Sequence, residues 1–128
     1  MIYTKRVYDP PSSLDGKRFL VDRLWPRGIK KEQIILDGWL KDVAPSETLR
    51  RNFSHKVAKW EEFVHNYALE LDGKASAWKP IFDAARSDDV ILLFAAKDRE
   101  HNNAVALKFY LDRQLNIYNL REENQANT

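Results

Sequence analysis

The chain has no cysteine, one methionine and three histidines among its 128 residues. Without a thiol there are no disulfides, no thiolate nucleophile and no cysteine-ligated zinc or iron–sulfur centre. His55, His65 and His101 lack a spacing such as H-x-x-x-H, so nothing signals a metal site. Glycine is scarce, at four residues, and none builds a glycine-rich phosphate loop. A dinucleotide fold of the usual type therefore has no fingerprint here, and no cofactor is implied. No apolar run approaches the roughly 20 residues of a membrane span. The opening Met1-Ile2-Tyr3-Thr4-Lys5-Arg6 lacks a signal peptide's apolar segment, which makes the cytoplasm the expected compartment. Ser12, Ser13, Ser46 and Ser54 stand outside any nucleophile-elbow context, so a serine hydrolase is not supported.

What is present is ordinary in amount and uneven in placement. A 44% hydrophobic and 31% charged composition fits one soluble globular domain, expected over residues 1–120, with 121–128 a polar, frayed tail. Four Trp, five Tyr and six Phe promise a core dominated by large rings. Net charge is only +2, yet residues 1–60 hold 13 Lys/Arg against 7 Asp/Glu, and the remainder 8 against 12. A basic half attracts phosphates or nucleic acid, unless the two halves simply complement each other.

Residues 2–8 are rich in β-branched and aromatic side chains and predict a first strand; 17–22 predict a second. The segment 30–41 mixes a short helix with loop. Ser46 reads as the N-cap of a helix, and Ser54 as the cap of the next. In that second helix Trp60, Phe63, Val64, Tyr67 and Leu71 fall on one apolar stripe, which Asp72-Gly73 ends. A third helix is expected over 75–86, with Pro80 near its first turn or kinking it. The continuous apolar run 90–95 predicts a strand buried on both faces. A further helix carries Ala104, Leu107 and Leu111, and 115–120 reads as a last short strand. Strands interleaved with helices predict an α/β fold, a small three-layer sandwich whose largely parallel central sheet is flanked by helices. In such sheets ligands bind beyond the carboxyl ends of the strands.

Three strand ends carry the chemistry. The first delivers Lys5, Arg6 and Asp9, and the second delivers Asp22, Arg23, Trp25 and Arg27. The run 90–95 leads to Lys97, Asp98, His101 and Asn102 ahead of a helix N-terminus. Arginine grips oxyanions through several donors at once, so Arg6, Arg23 and Arg27 are expected to hold an anion, Lys97 to add charge and Trp25 to stack on a ring. Asp22 and His101, with Asp98 orienting, are the acid–base candidates, and His55 and Asn102 are further ligand contacts. Each has a plainer reading. Asp22 and Arg23 can form an ion pair, Trp25-Pro26 a hydrophobic plug, and Asp98 and Asn102 simple N-caps.

Lys5-Arg6-Val7-Tyr8-Asp9 and Val21-Asp22-Arg23-Leu24-Trp25-Pro26-Arg27-Gly28 resemble the opening of the YeaO-like family, the bacterial domain of unknown function 488. Trp39-Leu40-Lys41, Ala44-Pro45-Ser46, Leu49-Arg50 with Phe53 and His55, Trp60-Glu61-Glu62-Phe63 with Tyr67, and Leu93-Phe94-Ala95-Ala96-Lys97-Asp98 continue the resemblance. Glu100-His101-Asn102 with Ala104 completes it, so that it spans roughly residues 3–111. The resemblance implies that the polar strand-end residues share one pocket. It departs after Phe53, where the family's Gly-His-Asp-Pro pattern is replaced by Ser54-His55-Lys56-Val57. The expected function is a pocket for a small anionic, phosphate- or nucleotide-like ligand, serving a cofactor-independent hydrolase or transferase. The alternative is a nucleic-acid-binding or interaction module that uses the basic half.

Overall fold

A parallel strand buried on both faces needs an unbroken apolar sequence, and Val-Ile-Leu-Leu-Phe at 90–94 is buried at every position. The computed structural model describes residues 1–13 and 15–126. Its four strands are β1 (Ile2–Arg6), β2 (Lys17–Leu20), β3 (Gly38–Trp39) and β4 (Val90–Phe94). They form one sheet in the order β1-β4-β2-β3, and every pairing is parallel. The helices are α1 (Glu47–Phe53), α2 (Trp60–Asp72), α3 (Ala75–Ala85) and α4 (Asn103–Ala126), with three short 3-10 turns between elements.

Strand alternation divides the core in two. Ile2, Phe19, Val90, Leu92 and Phe94 face one side, where Leu49 and Phe53 of α1, Tyr67 and Leu71 of α2, Ile81 of α3 and Leu107 and Leu111 of α4 cover them. Leu20, Ile91 and Leu93 face the other side, together with Val7. That side is covered by Trp25, Ile29, Ile34, Leu36 and Trp39 from the long connection between β2 and β3 and from β3 itself. The α/β class with a parallel sheet is as expected. The layer on this second face is built by loop and one 3-10 turn (Lys31–Gln33) rather than by an α-helix. Rings supply the area a helix would otherwise bury: Trp25 and Trp39 meet edge to face, centroids 5.3 Å apart.

Two close contacts lock the sheet's lower edge. An added Cβ on Gly16 would lie 1.9 Å from the Asp89 carbonyl oxygen, so only glycine lets β2 start against β4. Arg18 is 5% exposed, and its guanidinium pairs with Asp15 and donates to the Ile35 carbonyl at 2.9 Å. Burial pushes the Asp15 carboxyl up, but the Ser12 amide, Lys5 and Arg18 together hold it below its usual range.

Several local expectations need correction. Ser46 does cap α1, its hydroxyl accepting from the Leu49 amide at 3.2 Å. Ser54, however, ends α1 instead of starting α2, in the left-handed region with φ 47°, and His55 follows at φ 56°. Pro80 sits in the second turn of α3, on its exposed side, where water can satisfy the carbonyl the missing N–H leaves open. Residues 115–120 are helical, not a strand. Leu115 and Tyr118 lie four and seven residues beyond Leu111, which extends the buried stripe of α4. Arg86 fixes that turn by lying 4.4 Å from the Tyr118 ring and donating to its hydroxyl at 2.6 Å. Residues 121–126, expected to fray, continue the helix with every side chain exposed, whereas residues 127 and 128 lie outside the described residues. Among the described residues no helix is long and apolar enough to cross a membrane.

Candidate functional site

Parallel neighbours deliver their carboxyl ends to the same edge of a sheet. Here β1 runs out into Tyr8, β2 into Asp22 and Arg23, and β4 into Ala95 and Ala96. These residues line a cavity of about 520 Å³. The turn 24–27 forms one wall, α1 brings Glu47, Arg50 and Phe53, and the start of α4 brings Asn102 and Asn103. The location agrees with the rule for open α/β sheets, and the volume lies in the ordinary range for small-molecule sites.

Asp22 stands at the floor. Its Oδ2 accepts the Ala95 amide at 2.9 Å, and the Trp39 indole N–H donates to its carbonyl at 2.8 Å. Asn103 donates to the neighbouring Val21 carbonyl at 3.1 Å and also lies against the Asp22 carboxylate. No basic side chain pairs with Asp22 among the described residues, so the alternative reading of an ion pair with Arg23 is not met. Burial raises its pKa above the usual carboxylate value, although the Ala95 and Asn103 hydrogen bonds oppose the rise.

The arginines divide sharply by environment. Arg6 donates to the carbonyls of Ala96 at 2.9 Å and Ala95 at 3.1 Å and lies over the Tyr8 ring, bracing the cavity floor from outside. Arg99 grips Asp9 through two bonds of 2.8 and 2.9 Å, which holds the Asp9 carboxyl down. Arg23 and Arg27 are exposed, line the cavity and have no carboxylate partner among the described residues. Arg23 makes one long bond of 3.4 Å to the Pro45 carbonyl. Arg27 is held by its backbone, whose carbonyl accepts the Tyr8 hydroxyl at 2.9 Å. Gly28, at φ 80°, completes the turn that presents it. Arg50 adds a third guanidinium, 3.9 Å from Glu47.

Rings and apolar groups supply the remaining walls. Trp25 is half-buried, its N–H donating to the Ile29 carbonyl, so it plugs the second core and also presents surface to the cavity. Phe53 and Phe63 also line the cavity and stack at 4.6 Å, and His55 lies 5.9 Å from Phe53.

Six of the ten site candidates thus meet in one cavity: Asp22, Arg23, Trp25, Arg27, His55 and Asn102. Asn102 is there as a helix cap, accepting from the Val105 amide at 3.0 Å and donating to the Asp98 carbonyl at 2.9 Å. Four candidates lie outside the cavity: Arg6, Lys97, Asp98 and His101. Asp98 accepts the amides of Glu100 and His101 and bonds the His101 ring at 3.0 Å, contacts that hold its carboxyl below the usual range. The His101 ring packs T-shaped with Trp60, centroids 5.3 Å apart, and does not line the cavity that holds Asp22. The proposed acid–base pair is therefore split between two environments. Tyr8, Arg50 and Phe63 had no site role in the sequence reading. For Arg50 and Phe53 the available signal was helical spacing, since Glu47, Arg50 and Phe53 recur every three residues on one side of α1.

Comparison with known proteins follows the same residues. The family model described as "Inactive DUF488-N3 subclade" matches residues 1–128. The chain is 43% identical over 110 residues to the uncharacterized protein YeaO of Escherichia coli K12, covering 86% of this chain and 96% of that protein. It is 44% identical over 71 residues to the uncharacterized proteins Mb3100c of Mycobacterium bovis and Rv3073c of Mycobacterium tuberculosis, covering 56% of this chain and 60% of each. No solved structure matches. With the family match running end to end and the YeaO match covering nearly all of that protein, the chain belongs to the YeaO-like DUF488 family, in its DUF488-N3 branch.

Proposed function

We propose that this chain is a binding domain whose cavity at the carboxyl edge of the sheet takes a small anionic ligand with a flat apolar body. One observation carries the reading: Arg23 and Arg27 enter the same cavity without a carboxylate partner among the described residues. By contrast Arg6 is engaged on two carbonyls, Arg18 on Asp15, Arg51 on Glu47 and Arg99 on Asp9. Two guanidiniums without a carboxylate partner, in a cavity also lined by Trp25, suit a phosphate or carboxylate attached to a ring. The α4 N-terminus at the same place adds a favourable dipole. Binding rather than turnover is favoured because His101 lies outside the cavity and Asp22 is tied to the Ala95 amide. The family description, which carries the word "Inactive", supports the same choice. The nucleic-acid alternative is weakened by Lys5, Arg6 and Arg18, which count toward the basic half but serve internal contacts.

A thermal-shift screen against nucleotides and phosphorylated metabolites tests this reading. A ligand at a hundredfold excess over Kd adds about 2.7 kcal/mol of apparent stability. Arg23→Ala and Arg27→Ala should keep the fold and lose that gain. If both variants fail to fold, the guanidiniums are structural and the proposal falls.

A further inference from the structure

The cavity is lined by a carboxylate and two guanidiniums that do not pair with one another. Asp22 lies at the floor, where the carboxyl ends of β2 and β4 meet, and no cation pairs with it among the described residues. Arg23 and Arg27 lie at the exposed mouth, and no anion pairs with them among the described residues. They do not reach back to the aspartate, although Arg23 is its neighbour in sequence. Rings also line the cavity, the half-buried Trp25 and the buried, stacked Phe53 and Phe63.

We infer that the ligand is a nucleoside monophosphate whose base carries adjacent N–H donors, as guanine does, with the base edge on the Asp22 carboxylate and the phosphate between Arg23 and Arg27. This deepens the proposed function and rests on it. A carboxylate is an acceptor only, with about four lone-pair positions on its two oxygens. The Ala95 amide occupies one position on Oδ2, and Asn103 lies against the group from one side. Capacity therefore remains for two donors from a ligand. A base edge offering only acceptors would face the carboxylate with repulsion. A half-buried carboxylate without a cation gains from further donors, and burial raises its pKa in their absence. A purine suits the half-buried Trp25, the ring at the cavity with a face left open for stacking. A cavity of about 520 Å³ has room for the whole nucleotide.

The test is titration calorimetry on the whole chain with guanosine monophosphate, inosine monophosphate and inorganic phosphate. Inosine monophosphate lacks only the exocyclic amine, so it should bind about tenfold more weakly than guanosine monophosphate. Phosphate alone should bind weaker still. Asp22→Asn keeps an oxygen for the Ala95 amide but turns an N–H toward the ligand, and should erase the preference between the two nucleotides. Equal binding of both nucleotides by the unmutated chain would overturn this inference while leaving the anion pocket standing. No binding of any of the three would overturn both. If Asp22→Asn does not fold, the comparison on the unmutated chain decides by itself.

Discussion

Asp22 concentrates the physics of the site in one side chain. Its carboxyl is raised by burial, so the folded chain holds that proton to higher pH than the unfolded chain does. Stability contributed by this group is therefore full below the unfolded value near 3.8 and falls as pH rises toward the folded value. Denaturant unfolding of the parent and Asp22→Asn between about pH 4 and 7 should show the asparagine variant gaining relative stability as pH rises. A pH-independent difference would mean that the carboxyl is not buried as described. Asp22→Ala is a different case, because it leaves the Ala95 amide unpaired and should cost about 1–3 kcal/mol at neutral pH. Ser54 gives a second single-residue prediction. It occupies the left-handed region at φ 47° at the end of α1, where a Cβ is strained. Ser54→Gly should stabilise by about 0.5–1 kcal/mol, read as a raised denaturation midpoint with an unchanged slope. These two residues also show what is legible in a sequence. Asp22 stands out because an acid follows an apolar strand directly, whereas Ser54 reads as an N-cap because serine caps helices far more often than it ends them.

At the scale of elements, what could be read was whatever depends on neighbours in sequence. The apolar run of β4, the stripe of α2 and the Ser46 cap all follow from local pattern, and each is where it was expected. What could not be read was decided by distant partners. Residues 115–120 have strand-like composition, but Leu115 packs on the helical core and Arg86 of the α3 C-cap clasps Tyr118, so α4 simply continues. The cover of the second face by Trp25, Ile29, Ile34, Leu36 and Trp39 leaves no periodic signature, because loop residues need not repeat to bury a sheet. For the site, the strand-end residues were legible. The contribution of α1 was not, because Arg50 and Phe53 reach the cavity only once the chain has folded back over the sheet. Gly16 tests the close approach of β2 to β4. Gly16→Ala puts a methyl group into the Asp89 backbone and should cost about 2–4 kcal/mol in denaturant unfolding. A neutral effect would show that the two segments are further apart than described.

The charge division of the whole molecule now has a structural counterpart. Part of the basic half is internal, since Lys5 and Arg18 hold Asp15 and Arg6 braces the ends of β1 and β4. Another part, Arg23, Arg27 and Arg50, gathers around one opening at the carboxyl edge. Long-range ion pairing closes that edge from outside, where Arg99 joins the loop after β4 to Asp9 after β1. Asp9 and Asp98 both titrate below the unfolded carboxylate, so their contributions are present at neutral pH and are lost as acid takes the pH down through their folded values. The central claim is that Arg23 and Arg27, which have no carboxylate partner among the described residues, form an anion site at the opening. It is tested most directly by following the arginine Nε–H and tryptophan indole N–H resonances by NMR while guanosine monophosphate is added. The account predicts saturable shifts at Arg23, Arg27 and the Trp25 indole, with Arg18 and Arg86 unmoved. Shifts spread evenly over the exposed Lys/Arg surface, or confined to side chains away from the cavity, would contradict it.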